Sequence, residues 1–253
     1  MFAKRKLENV WDGMTEPFKI IGNVYFVGTY QASSHLIDTG DGLILIDTGY
    51  EKTLYLVIRS IYELGFNPKD IKYIINTHWH GDHTEGTAAI TALSGAKTII
   101  GRYDKEKAKK YFNADITVKD GDTLSLGNTT VSFMETPGHT KGTISLFFDT
   151  EENGKTYRVG MFGGAGANTL VDGKFDYDGC RADYVESINR LRKEKVDVFI
   201  GNHTWNNDTE KKGDILRKTG ENQFINSNLW LDFLNYREKK FNELIENETK
   251  SKI

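Results

Sequence analysis

The stretch INTHWHGDHTEG, residues 75–86, brings together three of the six histidines of this chain and an aspartate. It continues a β-type run, so its first residues are expected to be extended. Residues two apart in an extended segment point the same way, and His78 and His80 can therefore present their imidazoles to one point in space. A glycine then permits a turn, after which Asp82 and His83 can face a neighbouring point. The spacing indicates ligands for two adjacent metal ions.

Imidazole and carboxylate groups are ligands that zinc accepts, and a catalytic zinc usually takes three protein ligands while keeping a position for water. Two such sites need six ligands, and this stretch supplies four. The remaining histidines are His35, His139 and His203. His139 lies at a predicted turn in TPGHTKGT, and His203 ends the predicted strand VDVFIGNH, so both can reach one sheet edge. For His35, inside another predicted strand, we expect a structural, hydrogen-bonded role.

The size and charge of the chain limit what such a cluster can serve. With 253 residues, of which 38% are hydrophobic, the chain can bury one large core, and we expect a single domain over residues 1–253. The formal net charge of -3 gives no global basic field, which argues against a nucleic-acid or anionic-membrane partner. No apolar run approaches the length of a membrane span. We therefore expect a small-molecule substrate.

Cys180 is the only cysteine, and we expect it to be a buried free thiol.

Short β-type runs alternate with helical segments along the chain, and this pattern predicts a layered α/β fold. Predicted strands cover residues 24–29, 33–39, 42–49, 72–77, 97–100, 122–127, 129–138, 143–149, 156–164 and 196–203. Predicted helices cover residues 51–65, 84–95, 104–112, 181–195 and 228–245. The last of these carries an apolar stripe that we expect to dock it on the rest of the fold: Leu229, Trp230, Phe233, Leu234, Phe241, Leu244 and Ile245. The first three strands are expected to form a meander, and the histidine cluster falls at a strand-to-helix junction.

These motifs resemble the signature of the metallo-β-lactamase superfamily. The resemblance covers nearly the whole chain and includes ILIDTG, in which Asp47 matches an aspartate that supports a metal ligand. It implies a four-layer αββα sandwich with two Zn²⁺ ions per chain at one edge. The implied ligands of the first ion are His78, His80 and His139. Those of the second are Asp82, His83 and His203.

The set of five histidines and one aspartate is similar to the third zinc β-lactamase subclass, and so are the stretches NVYFVGT and ENQFINSNLWLDFLNYREKKFNELI. Most other hydrolases of the superfamily carry a bridging aspartate on the strand matched by GMFGGAGAN, where this chain has none. Ala165 stands where the first lactamase subclass has a cysteine ligand. Ala165 and Ala167 also stand near serines that help the third subclass to bind the substrate carboxylate, and neither alanine side chain can donate a hydrogen bond.

The resemblance implies a zinc hydrolase that opens a β-lactam amide with a hydroxide bridging the two metals. Asp82 would orient this hydroxide or relay its proton. Each ligand histidine should donate its other N–H to a partner, with Asp47 and Thr77 as the candidates. Trp79 and Glu85 would narrow or charge the mouth of the site. The glycine-rich GGAGAN is expected to let the backbone approach the site.

Other interpretations stay open. A hydrolase of the same fold could act on a lactone, a thioester or another cyclic amide. A protein that binds zinc without catalysis, such as a sensor or an interaction module, is a different class, and a closed structural zinc site is its simplest form. Sequence alone predicts a cytoplasmic protein, or a periplasmic or secreted one if a signal peptide has been removed.

Overall fold

The computed structural model describes residues 9–251, in which two β-sheets face each other. The seven strands of the first sheet follow chain order: β1 (Phe18–Ile21), β2 (Val24–Phe26), β3 (His35–Asp38), β4 (Leu43–Ile46), β5 (Ile71–Asn76), β6 (Lys97–Gly101) and β7 (Ile116–Val118). The second sheet, in the spatial order β12-β11-β10-β9-β8, contains β8 (Thr123–Leu126), β9 (Thr129–Glu135), β10 (Ile144–Glu152), β11 (Lys155–Met161) and β12 (Val198–Phe199).

The helices are α1 (Leu54–Glu63), α2 (Gly81–Thr84), α3 (Thr87–Ser94), α4 (Lys105–Ala108), α5 (Cys180–Leu191), α6 (Thr209–Thr219) and α7 (Asn228–Ser251). None of the helices within residues 9–251 is long and apolar enough to cross a membrane. Cys180 is a buried free thiol, as expected.

Side chains alternate between two apolar layers along the central strands. In β4, Ile44 and Ile46 belong to the core between the sheets, whereas Leu43 and Leu45 pack with residues of α1 and α3. In β10, Phe147 likewise points outward to a cluster formed with α5 and α7. Because each sheet is apolar on both faces, each needs a helical layer on its outer side. The expected four-layer αββα sandwich is confirmed.

Helix α7 closes the outer face of the second sheet with the stripe that the sequence predicted. Trp230, Phe233, Leu234 and Phe241 are buried, and the rings of Phe199 and Trp230 lie 5.5 Å apart. The indole Nε1 of Trp230 donates to the carbonyl of Leu191 at the end of α5, 3.0 Å away. This contact fixes α7 against α5 as well as against the sheet.

The strand directions bring several chain segments to one edge of the sandwich. Strands β4, β5, β6 and β7 are parallel, and β9, β11 and β12 share one direction because β10 is antiparallel to both of its neighbours. A hydrogen bond of 3.0 Å from Ile144 N to Thr77 O joins the two sheets at this edge. The loops that leave the carboxyl ends of β4, β5, β9, β11 and β12 therefore meet there.

The strands β1 and β7 and the helices α2 and α6 were not predicted, and most predicted elements are shorter in the structure, two of them markedly. The short strands β1 and β7 are defined mainly by their pairing with β2 and β6, which sequence patterns do not show. Helix α6 is polar and contains Gly213, where a Cβ would lie 2.4 Å from the ring of Phe18. The predicted helix at 104–112 keeps only the single turn of α4, and the predicted strand at 196–203 keeps only the two residues of β12.

His35 is buried in β3, but the expectation that it is hydrogen-bonded is wrong. Neither ring nitrogen has a hydrogen-bond partner within the described part of the chain. Its ring packs against Phe26, with centroids 5.8 Å apart. Burial lowers the pKa of His35 from 6.5 to about 3, because an imidazolium in this apolar layer would lose its hydration.

This burial predicts that His35 destabilises the fold in acid. Above pH 6.5 the ring is neutral in both states. Below pH 6.5, His35 is protonated in the unfolded chain but stays neutral in the folded chain until about pH 3. The free energy of unfolding therefore falls by up to about 1.4 kcal/mol for each pH unit. We expect His35→Leu to flatten the pH dependence of the unfolding free energy between pH 6.5 and 4.5. Urea titrations with chelator present throughout would measure it, and parallel curves for the two proteins would contradict it.

Candidate metal centre

The end of β5 sets the direction of the first histidines. Strand β5 ends at Asn76 and the chain bends at residues 77–79; His80 is extended, with φ and ψ of -62° and 146°, and the single turn of α2 follows it. The imidazoles of His78 and His80 lie close together, with ring centroids 4.8 Å apart. Helix α2 then presents Asp82 and His83 beside them. The turn expected at Gly81 is present, but residues 77–79 bend instead of continuing the strand, so the expected extended segment is wrong for them.

The structure brings His139 to the first pair of histidines. One ligand atom each of His78, His80 and His139 lies within 4.8 Å of the others. His80 Nδ1 and His139 Nε2 are 3.0 Å apart. His139 comes from the loop after β9 in the opposite sheet, so this group spans both sheets at the shared edge.

Asp82, His83 and His203 form the second group, again with one ligand atom each within 4.8 Å of the others. Asp82 Oδ2 lies 3.4 Å from His83 Nε2 and 3.8 Å from His203 Nε2. The ring centroids of His78 and His83 are 4.3 Å apart, so the two groups are adjacent. All six residues singled out in the sequence therefore converge, and His35 does not join them.

Two buried ring nitrogens without hydrogen-bond partners indicate whether these groups suit metal ions. His78 Nε2 and His83 Nε2 are buried and accept no hydrogen bond from any described residue. Buried polar atoms normally have a partner, and each of these atoms faces other potential ligand atoms. One group offers three imidazoles, and the other offers two imidazoles and a carboxylate, which are donor sets that zinc accepts. The residues fit one metal ion in each group.

In four of the histidines, the ring nitrogen Nδ1 points away from the metal group and is hydrogen-bonded to a protein oxygen. His83 Nδ1 donates to Asp47 Oδ2 at 2.7 Å. Thr77 Oγ1 donates to the same carboxylate at 2.8 Å, which leaves its lone pairs to accept from His78 Nδ1 at 3.1 Å. The predicted partners Asp47 and Thr77 are thus confirmed, and both bonds leave Nε2 as the free ligand atom. The other two histidines use backbone carbonyls: His139 Nδ1 donates to Gly166 at 2.9 Å, and His203 Nδ1 to Gln31 at 2.6 Å.

Asp47 occupies this position at a conformational cost. Its φ of 56° lies in the left-handed region, which is unfavourable for a residue with a Cβ. Its other oxygen, Oδ1, accepts from Thr77 N at 2.8 Å. The fully buried carboxylate therefore fixes the backbone at the start of the ligand loop as well as two side chains.

The charges of the cluster favour metal binding. Burial lowers the pKa values of His78 and His139 well below 6.5, and it lowers that of His80 as well, so these rings are neutral and can act as ligands. Burial also acts against a charged His83, but the carboxylates of Asp82 and Asp47 outweigh it and raise the pKa of His83 to about 10, so a metal ion would displace a proton from this ring when it binds. For Asp82, the neighbouring histidines outweigh burial and lower its pKa, so the carboxylate is ionised.

Asp104 is a supporting residue that the sequence did not reveal. Its Oδ2 accepts from Thr140 Oγ1 at 2.6 Å and from Trp79 N at 3.1 Å, and its Oδ1 accepts from Gly142 N at 2.8 Å. Burial raises its pKa to about 6, against the effect of these donors. Trp79 lies between two ligand histidines and Thr140 follows His139, so this carboxylate ties the two ligand loops together. Its only sequence signal was its place shortly after a buried strand.

A cleft of about 470 Å³ opens over the second group, a volume typical of small-molecule sites. Its lining includes Asp82 and His203 together with Tyr30, Gln31, Tyr50, Gly166, Ala167, Asn168, Trp205, Asn206 and Arg237. The indole of Trp205 stacks on His203, with centroids 4.5 Å apart and planes 8° apart. Burial and the charges of Asp82 and Glu85 raise the pKa of Tyr50 to about 12, so its hydroxyl keeps its proton.

Trp79 and Glu85, which we expected to shape the mouth, do not line this cleft. Trp79 packs on His80 and donates from Nε1 to Asp176 Oδ1 at 3.3 Å. Glu85 turns back and accepts from Glu51 N at 3.2 Å. Both residues thus make contacts around the ligand loop, and the charge of Glu85 still acts on Tyr50 in the lining of the cleft.

The glycine-rich loop after β11 approaches the centre through its backbone, as expected. A Cβ on Gly166 would lie 2.6 Å from Asn168 Oδ1 and 3.1 Å from His139 Cε1. A Cβ on Gly164 would lie 3.1 Å from His139 Cβ. The absence of side chains at these positions lets the Gly166 carbonyl reach His139.

Comparison with known proteins agrees with this geometry. The model of the metallo-beta-lactamase superfamily matches residues 27–203, and the chain belongs to that superfamily. Among solved structures, it resembles BJP-1, a subclass B3 metallo-beta-lactamase of Bradyrhizobium japonicum, with a TM-score of 0.88 and 30% identity over 96% of this chain and 98% of the other. It also resembles the metallo-beta-lactamase FEZ-1 of Legionella gormanii, with a TM-score of 0.87 and 29% identity over 94% and 98% of the two chains. The expected similarity to the third subclass is confirmed.

Curated relatives carry other names. A hydroxyacylglutathione hydrolase of Polaromonas sp. is 30% identical over 72% of this chain and 66% of the relative. That of Hyphomonas neptunium is 36% identical over 49% of this chain and 44% of the relative. The aligned part thus spans between about two fifths and two thirds of the length of these two relatives. The chain has the fold of this superfamily, with two adjacent groups of residues that could each hold a metal ion.

The bridging position of Asp104 predicts that it supports metal binding. In Asp104→Asn, the amide offers one acceptor oxygen and turns an N–H₂ group towards donors, so the ligand loops should loosen. We expect the affinity for zinc to fall about 10- to 100-fold, as for other residues that orient metal ligands. Competition with a chromophoric chelator would measure it.

Asp115→Asn is a matched control, because Asp115 accepts from Thr98 N and Thr98 Oγ1, both at 2.8 Å, and these bonds involve no ligand loop. Equal zinc affinities in the two variants would contradict a role for Asp104 in the site.

Proposed function

We propose that this protein is a dinuclear zinc hydrolase that opens the amide of a β-lactam. The observation that carries the proposal is the convergence of five imidazoles and one carboxylate into two adjacent three-residue groups, the second of which contributes Asp82 and His203 to the lining of a cleft. A histidine completes the second group, and the similarity to subclass B3 metallo-beta-lactamases extends over nearly the full chain.

Zinc held by these residues would supply a Lewis acid and a solvent nucleophile at neutral pH. A protein nucleophile is then unnecessary, and the described lining of the cleft contains no serine, cysteine or lysine. Asp82 lies in the lining as an ionised carboxylate, where it can orient a water molecule and accept its proton. Trp205 and Tyr30 form an aromatic wall, with ring centroids 6.0 Å apart, that can exclude water from one side of the substrate.

A second candidate function is hydrolysis of a thioester or a lactone at the same centre. The names of the curated relatives favour it, since they include hydroxyacylglutathione hydrolases and an N-acyl homoserine lactonase of a Bacillus species at 24% identity. Ala165 and Ala167 favour it too, because they lack the hydroxyls that the resemblance associates with binding a β-lactam carboxylate.

A substrate panel separates these candidates. We expect the zinc-loaded protein to hydrolyse nitrocefin faster, by kcat/KM, than S-lactoylglutathione or an N-acyl homoserine lactone. Asp82→Asn should lower kcat on the preferred substrate by about 100-fold or more, because it removes both a carboxylate ligand of the second group and the proton acceptor. Asp149→Asn is the control, since Asp149 pairs with Arg158 at the surface.

A preference for the thioester or the lactone would replace the β-lactam by the second candidate. If the zinc-loaded protein turned over none of the three, the chain would be better described as a zinc-binding protein without catalysis.

Metal content gives an independent test. We expect two zinc ions per chain by elemental analysis, and loss of turnover on chelation that is restored by added zinc. His203→Ala should retain about one ion, because it removes one of the three ligands of the second group. His35→Leu should keep both ions, since His35 lies outside the two groups. One ion in the unaltered protein would contradict a dinuclear centre.

A further inference from the structure

Arg237 occupies an unexpected position on α7. It follows the buried Leu234 by three residues and precedes the buried Phe241 by four, so it lies on the apolar face of the helix. Its side chain is half-buried and lines the cleft above the metal centre. Arg237 therefore places a cation at a position where the helical pattern predicts an apolar residue.

The guanidinium of Arg237 has no carboxylate partner among the residues that the structure describes. Within residues 9–251, each of the other seven arginines forms an ion pair with an aspartate or glutamate: Arg59, Arg102, Arg158, Arg181, Arg190, Arg192 and Arg217. Arg237 instead donates from Nε to the hydroxyl of Tyr184 at 3.4 Å. Removing a guanidinium from water without an opposing charge is unfavourable, and a bound anion would relieve that cost.

Tyr184 places this charge beside the metal-bearing edge. Its ring is buried against Phe162 and Phe241, so its hydroxyl has little freedom. That hydroxyl donates to the carbonyl of Ala165 at 2.7 Å. The loop that carries Ala165 is the one whose Gly166 carbonyl holds His139. A short chain of hydrogen bonds therefore connects Arg237 to the loop that orients a metal ligand.

The composition of the cleft makes the charge of Arg237 distinctive. Only Asp82 and Arg237 among the lining residues carry a permanent charge, and Asp82 belongs to the second metal group. Ala167 and Asn168, in the same lining, offer no charge. A substrate that reaches across the cleft from the metal centre would meet Arg237 as its one fixed cation.

We propose that Arg237 binds a carboxylate of the substrate at a subsite on the α7 side of the cleft. This inference rests on the proposed hydrolase function and deepens it, since it assigns to a helix arginine the task for which Ala165 and Ala167 have no side-chain donor. A guanidinium can bind a carboxylate through two parallel hydrogen bonds, which fixes both position and orientation. The enzyme would thus select for anionic substrates.

Nitrocefin and its methyl ester test this selection in the zinc-loaded protein. We expect Arg237→Gln to raise KM for nitrocefin about ten-fold or more, as for loss of a charge-assisted hydrogen bond, with little change for the ester. Arg237→Lys, which keeps the charge and loses the planar fork, should fall between. Lys240→Gln removes a positive charge three residues further along α7, where Lys240 pairs with Glu243, and should match the unaltered protein.

Equal changes for nitrocefin and the ester, or no change for either, would overturn the proposal. Zinc content and Tm of each variant accompany the kinetics, and an equal loss on both substrates together with lost zinc or a lower Tm would show that Arg237 is structural.

A binding experiment keeps this test separate from the proposed activity. The probes are 2-mercapto-3-phenylpropanoate and its methyl ester, whose thiol can bind the metal centre without turnover, and calorimetry gives the affinities. We expect the zinc-loaded protein to bind the acid about ten-fold more tightly than the ester, and Arg237→Gln to remove the difference. If nitrocefin is not hydrolysed but this preference is found and is lost in Arg237→Gln, the proposed β-lactam substrate fails and the anion subsite stands. If acid and ester bind equally, the subsite fails whatever the substrate.

Discussion

The buried carboxylate of Asp47 is the interaction on which the metal centre depends. It accepts hydrogen bonds from Thr77 N, Thr77 Oγ1 and His83 Nδ1, and so fixes the start of the ligand loop and the orientation of one imidazole. Through Thr77 it also fixes His78. A ring that donates from Nδ1 presents a free Nε2, which is the state a metal ligand needs. The left-handed φ of Asp47 shows that the fold accepts local strain to keep this arrangement.

The centre also depends on the meeting of two sheets. Each group combines residues of the 78–83 loop with a histidine from the second sheet, and the hydrogen bond between Ile144 and Thr77 holds the sheets together at that edge. Asp104 adds a second connection by binding both ligand loops. The helical layers matter indirectly, because α7 encloses the cleft and contributes Arg237 to its lining. The result is a rigid metal-binding floor under a cleft whose walls come from other elements.

Much of this could be predicted from local patterns. Alternating apolar residues identified the central strands of both sheets, and the stripe from Trp230 to Phe241 identified the docking face of α7. What was missed had no local signal. Strand β7 exists because β6 offers it an edge, and α6 is a polar helix whose Gly213 fits against Phe18. Arg237 was passed over because the pattern of its helix is read from apolar residues, and Asp104 because its acceptor role depends on donors far along the chain.

The sequence by itself placed four candidate ligands together, because the close spacing of His78, His80, Asp82 and His83 is a local property of the chain. Its alternating patterns indicated a layered α/β fold, and the resemblance to the metallo-β-lactamase superfamily implied the αββα sandwich. Only the tertiary structure decided that His139 and His203 complete two separate groups, that Trp79 and Glu85 stay out of the cleft, and that Arg237 faces into it. These outcomes depend on how two sheets and a terminal helix pack together, and packing joins residues that no sequence spacing connects.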